Sequence, residues 1–154
     1  MRLVPAKAED AGTLTQIAIN AKRRWGYPER WIESWRDALT VQPDFICSHE
    51  TYTAIVNEQI AGFYALGHKD DRLELLHMWV RPDAMRHGIG RSLFFHALER
   101  AKALGFRELE IESDPNAEGF YRRMGARRVG LRIRNVEQKR RELPIMVYEM
   151  DRVA

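Results

Sequence analysis

A single cysteine, Cys47, is all the thiol chemistry this 154-residue chain holds. One thiol closes no disulfide within a chain and completes no cysteine-based metal site, and such usage suits a reducing compartment. Long apolar runs are missing too. The opening Met1-Arg2-Leu3-Val4-Pro5-Ala6-Lys7 is broken by proline and charge before it reaches signal length. No uncharged stretch approaches the roughly 20 residues that span a bilayer. The expectation is therefore a soluble, cytoplasmic protein with no membrane partner. Charge of one sign is scarce: 25 Lys+Arg stand against 22 Asp+Glu, a net of +3. The basic residues alternate with acids and form no stripe, so no nucleic-acid partner is expected. Repeats, low-complexity tracts and linkers are lacking, and the length suits one domain over residues 1–154. With 45% apolar and 10% aromatic residues, the chain can bury an ordinary core, which excludes disordered and fibrous classes.

What is present reads as alternating strands and helices. Arg2 to Ala6 suits an edge strand, and Leu14, Ile17, Ala18, Ala21 and Trp25 then recur at helical spacing. Gly26-Tyr27-Pro28 ends that helix, and a second runs from Pro28 through Trp31 and Trp35 to Leu39. Thr51–Val56, Ile60–His68 and Leu73–Val80 are β-rich runs separated by short polar turns, which predicts an antiparallel meander. From Gly88 to Leu104, Ile89, Leu93, Phe94, Ala97, Leu98 and Ala101 form one helical stripe, stopped by Gly105. Arg107–Ser113 alternates like a strand, and its helical connection implies a parallel neighbour. Asp114-Pro115 starts a short helix that ends at Met124-Gly125. Two closing strands, Ala126–Ile133 and Pro144–Met150, flank a charged loop over Asn135–Glu142. The fold class is α/β (α+β), a mixed sheet of six to seven strands flanked by about four helices.

The chemistry concentrates between Val80 and Arg91. A strand ends, a loop turns, and Gly88 and Gly90 open the strongest helix, so bare backbone N–H groups and the positive helix end converge on one place. An anion, most simply a phosphate, suits it. Neither glycine carries a Cβ to hold a pyrophosphate off, and Arg86, His87 and Arg91 add donors. The pattern is no P-loop, since no Gly-Lys-Ser/Thr follows, and no dinucleotide fingerprint, which needs three glycines in the first βα unit.

Val80, Pro82, Gly88, Gly90 and Leu93 give this segment a form that resembles motif A of the GNAT superfamily of N-acetyltransferases. Met85 stands where that motif usually has Arg or Gln, and Arg86 where glycine is common. Downstream, Asn116, Phe120-Tyr121 and Gly125 resemble the family's motif B, with Gly119 at the usual alanine and Ala126 at the usual aromatic. The resemblance implies a splayed sheet with acetyl-CoA wedged in the opening and no metal. The residues that would hold the cosubstrate are Met78, Val80, Arg86, His87, Gly88, Ile89, Gly90, Arg91 and Asn116. In this reading the amides of Met78 and Val80, beside a β-bulge, bond the pantetheine arm or the thioester oxygen. Asn116 bonds the arm, and Tyr121 protonates the leaving thiolate. An amine of pKa near 10 must lose a proton before it attacks. Glu74, on the face of Leu76, Met78 and Val80 by alternation, and His77 are the candidate bases, with water as a third. The implied activity is acetyl transfer to a primary amine of a small molecule, peptide or protein by direct attack in a ternary complex. A transferase for another acyl group and a noncatalytic acyl-CoA-binding module fit the same motifs, and members of the family often form homodimers. Trp25, Tyr27, Trp31, Trp35 and the Asn135–Glu142 loop fall in the acceptor region, where the aromatics either anchor helices or cradle a cationic amine.

Overall fold

The computed structural model describes residues 1–150. Seven strands, β1 (Arg2–Pro5), β2 (Glu50–Val56), β3 (Gln59–Lys69), β4 (Arg72–Val80), β5 (Glu108–Glu112), β6 (Arg127–Val136) and β7 (Lys139–Glu149), form one sheet. Their order is β1-β2-β3-β4-β5-β7-β6. The β1–β2, β2–β3, β5–β7 and β6–β7 pairs are antiparallel, whereas β4 and β5 run parallel, with Leu73 opposite Leu109 and Glu74 opposite Glu110. This is the mixed α/β sheet expected.

The described residues form six α-helices instead of about four: α1 (Ala11–Arg23), α2 (Glu29–Ser34), α3 (Arg36–Leu39), α4 (Pro43–Ser48), α5 (Ile89–Ala103) and α6 (Glu118–Met124). The helix expected from Pro28 to Leu39 is interrupted at Trp35, whose φ of −95° and ψ of 1° end α2 and start α3. Pro43, in the first turn of α4, opens a six-residue helix that no apolar period announces. Among the described residues no helix is long and apolar enough to cross a membrane.

The chain divides into two compact units, one of Met1–Gly67 with Leu76–Ala97, the other of His68–Leu75 with residues 98 onward. In the first, Leu14, Ile17 and Ala18 of α1 pack with Ile32, Leu39, Val41, Ile46 and the buried Phe63 of β3. The opposite side of these strands carries a second cluster, in which Ala54 and Ala61 meet Ile89 and Leu93 of α5. Gly62 sets how closely the strands approach. A Cβ there would stand 2.8 Å from the Trp79 carbonyl oxygen and 3.3 Å from Val80 Cα, both backbone atoms.

In the second unit, Leu109, Ile111 and Met146 are fully buried on β5 and β7. The charged loop expected over Asn135–Glu142 is instead a hairpin. Glu137 and Gln138 both take left-handed φ, 49° and 64°, the geometry of a two-residue primed turn, and β6 and β7 continue up to it. Along β6 every residue from Arg127 to Asn135 is exposed, so charge there marks an edge strand with water on both faces. Arg134 and Arg132 reach Glu112, and Arg127 pairs with Glu149.

Because the atoms facing Gly62 are backbone and cannot swing aside, Gly62→Ala is expected to destabilise the fold by about 1–3 kcal/mol, read as a lower urea midpoint with an unchanged m-value.

Candidate active site

β4 ends at Val80 and a short 3-10 turn, Pro82–Ala84, follows. Arg81 anchors its start: its N–H donates to the Ala61 carbonyl at 2.8 Å and its guanidinium pairs with Asp83 at 2.8 Å. Arg86 and Gly88 then adopt left-handed φ of 68° and 77° on either side of His87. Glycine takes this conformation freely, whereas Arg86 accepts it at about 1–2 kcal/mol. The departure from glycine at position 86 thus leaves a backbone of the glycine type. A Cβ on Gly88 would meet no atom within 4 Å, so the turn is open on that side. The first bond that enters α5 is Ser92 N–H to the Gly88 carbonyl, 3.0 Å. The amides of Ile89, Gly90 and Arg91 therefore precede the helical ladder and point out of the positive end of a 15-residue helix. Arg86, His87 and Arg91 are exposed around it, the Arg91 guanidinium lying over the Phe95 ring, 5.2 Å from its centroid. The arrangement fits an anionic phosphate or pyrophosphate.

Upstream of the turn, β4 carries a break in alternation. A Cβ on Gly67 would touch Leu76 Cδ1 at 2.6 Å and His49 at 3.1 Å, which places Leu76 on the side of β3 that carries α4. His77 lies on that side as well, with its ring 5.5 Å from Phe45 and 5.8 Å from Phe63. Two consecutive side chains on one side make a bulge. Beyond it Met78 and Val80 fall on the α5 side, against Ile89 and Leu93, while Trp79 packs with Phe63. Met78 and Val80, expected on the face of Leu76, thus lie on the opposite one. Since the Arg81 amide is spent on β3, alternation turns the amides of Val80 and Met78 to the other side of the strand.

His77 Nδ1 accepts the Trp79 indole N–H at 3.0 Å. Burial among these rings, with a smaller contribution from His49, lowers its pKa to about 4. Trp79, Phe45 and His49 were not assigned from the sequence. The signal that would have found the last two is Pro43, which opens the helix that presents them.

In the second unit, Asp114 caps the turn that leads to α6, accepting from the Asn116 amide at 2.8 Å and from Asn116 Nδ2 at 2.9 Å. The Arg141 guanidinium lies 3.6 Å from Asp114, both side chains well covered. Tyr121 is buried on α6, and burial together with the Asp114 charge pushes its phenol well above the ordinary range, so it stays protonated at physiological pH. Glu74 is half-buried in β4, next to Glu110 in register. Arg72 pairs with Glu110 at 3.6 Å.

Of the aromatics near the first helices, Tyr27, Trp31 and Trp35 form one cluster with centroid separations of 5.1 Å to 5.9 Å, Tyr27 stacked on Trp31 and Trp35 edge-on to both. Trp25 stays apart and exposed. A cation already sits on this cluster: Lys22 Nζ lies 4.6 Å from the centroid of the Trp35 ring and 5.2 Å from that of Tyr27.

A strand end, a paired left-handed turn and open helix amides make the start of α5 a place that suits a phosphorylated ligand. The model of the acetyltransferase (GNAT) family matches residues 15–126, and the chain belongs to that family. Its fold is similar to a GCN5-related N-acetyltransferase from Rhodopseudomonas palustris, with a TM-score of 0.81 at 19% identity over 97% of this chain and 95% of that one. It is also similar to the PaiA N-acetyltransferase of Thermoplasma acidophilum in complex with coenzyme A, with a TM-score of 0.74 at 19% identity over 96% and 98%. A third likeness is to the ribosomal-protein-S18-alanine N-acetyltransferase of Escherichia coli, with a TM-score of 0.73 at 19% identity over 99% and 96%. No curated protein matches the sequence.

Since the folded pKa of His77 is depressed, the unfolded chain binds the extra proton between about pH 6.5 and about pH 4. The contribution to stability is whole above that window and is lost as pH falls through it. Urea midpoints measured at pH 7 and pH 5 are expected to fall more for the wild type than for His77→Phe; equal falls would contradict the burial of this ring.

Proposed function

We propose that the chain is one acetyl-CoA-dependent N-acetyltransferase domain of the cytoplasm that moves an acetyl group to a primary amine of a small molecule, peptide or protein. The observation that carries this reading is the turn at Arg86–Gly88 with the open amides of Ile89, Gly90 and Arg91 at the head of α5. Membership of the family supports it, and so does the coenzyme A in the PaiA structure.

When bound, acetyl-CoA supplies an acyl carbon activated by a thiol leaving group. The amides of residues 88–91 hold its pyrophosphate, and Arg86, His87 and Arg91 add charge at the rim. The Met78 and Val80 amides, turned away from β3, donate to the pantetheine arm or the thioester oxygen and polarise the carbonyl. Asn116, with its side chain already tied to Asp114, presents its carbonyl oxygen to the arm. The amine nitrogen bonds to the acyl carbon as the carbon–sulfur bond breaks. Glu74, directly or through water, takes the proton that the ammonium must lose. Tyr121, neutral at physiological pH, gives its proton to the departing sulfur and is restored by the second proton, which the attacking nitrogen sheds through water as the amide forms.

Thiol release from acetyl-CoA with a panel of primary amines tests the activity: turnover is expected, and binding without turnover on any amine would favour a binding module. Gly90→Glu places a side chain and a negative charge in the pyrophosphate seat, so calorimetry is expected to show acetyl-CoA affinity reduced by at least roughly 100-fold with the fold retained. Tyr121→Phe keeps the packed ring and removes the acid. Its kcat is expected to fall roughly 10²-fold with acetyl-CoA affinity changed less than about threefold.

A further inference from the structure

The His77 ring is held by its surroundings in one orientation and one tautomer. Phe45 of α4 stands edge-on to it at 5.5 Å, Phe63 of β3 lies tilted at 5.8 Å, and His49, stacked on Phe45 at 4.0 Å, is the titratable group that faces it. An indole nitrogen is a donor only, so the nitrogen that receives Trp79 Nε1–H must bear a lone pair. In the neutral ring the proton then sits on Nε2. No buried side-chain nitrogen or oxygen among the described residues lacks a hydrogen-bond partner. The Trp79 bond is the hydrogen bond that His77 makes, so Nε2 opens to solvent.

We propose that Trp79 fixes His77 as the Nε2–H tautomer, so that His77 donates a hydrogen bond to an oxygen of the amine acceptor and does not serve as the base that deprotonates the amine. The choice of ligand rests on the acetyltransferase reading; the tautomer does not. A donor whose ring is walled by Phe45 and Phe63 is rigid, and an acceptor that displaces the water at Nε2 meets it in apolar surroundings, which strengthens its bond to a carbonyl or carboxylate oxygen. His77 thereby becomes a specificity residue that favours amines with such an oxygen nearby, and Trp79 is the residue that positions it. Because the ring stays neutral down to about pH 4, the donation persists across the physiological range.

Nitrogen-15 NMR of the imidazoles in the full chain, from about pH 5 to 8, reads the tautomer directly. A lone-pair Nδ1, a protonated Nε2 and no titration are expected for His77, and Trp79→Phe is expected to bring tautomer exchange. A protonated Nδ1, or titration near the ordinary histidine value, would overturn the proposal. The second arm compares alaninamide with isopropylamine in thiol release from acetyl-CoA. About a tenfold preference in kcat/KM for alaninamide is expected, erased in His77→Phe and recovered in His77→Gln, whose amide N–H replaces Nε2–H. Equal turnover of the two amines, or turnover of neither, would overturn the acceptor contact. Absence of acetyl-CoA binding in calorimetry would instead sink the transferase reading and leave the NMR result standing.

Discussion

Leu76 and His77 of β4 point to the same side of the strand, and the backbone beyond them is shifted by one step of the pleat. That slip carries Met78 and Val80 to the α5 side, where they pack on Ile89 and Leu93. Ile89 and Leu93 are buried there, each complete burial being worth about 1.5–3 kcal/mol, so the first turn of α5 is seated on the end of the strand that precedes it. The connection between them is short, and two left-handed residues are what turns it back into the helix. The same slip sends His77 and Trp79 to the α4 side, where they bond to each other. Without it, an unbroken pleat would exchange these two sets.

The anion seat proposed at the head of α5 is a backbone construction. Its amides cannot be removed by a side-chain change, and the positive end of α5 acts regardless of pH. This explains how the position where glycine is common can hold Arg86: what the turn needs is a left-handed φ, and the chain meets that need with a strained residue. The two groups whose proton affinity burial displaces most, His77 downward and Tyr121 upward, are each held neutral. Each unit therefore presents one uncharged proton-bearing group whose state does not change near pH 7.

Elements are legible in the sequence where period and punctuation agree. Gly88, Gly90 and the stripe from Ile89 to Ala101 located α5 and its open end, and the polar turns located the β2–β4 meander. They are not legible where the signal is an exception to a period. Leu75-Leu76-His77-Met78-Trp79-Val80 is apolar throughout, so nothing in it marks which residue breaks step, and the slip shows only through what Gly67, Phe45 and Phe63 touch. The β6–β7 hairpin was mistaken for a loop at its tip because arginines on an edge strand look like a solvated turn. Tyr27, Trp31 and Trp35 were legible as a local group of aromatics, but that Lys22 lies over Tyr27 and Trp35 depends on packing that no local pattern encodes.

The measurement that bears most directly on this account follows the backbone amides by nitrogen–proton correlation NMR while coenzyme A is added to the full chain. The amides of Gly88, Ile89, Gly90 and Arg91 should show the largest shifts, at one common midpoint, with those of the β6–β7 turn unmoved. Coenzyme A that leaves these four amides in place, or that moves only signals elsewhere, would contradict the assignment of the α5 head as the pyrophosphate seat.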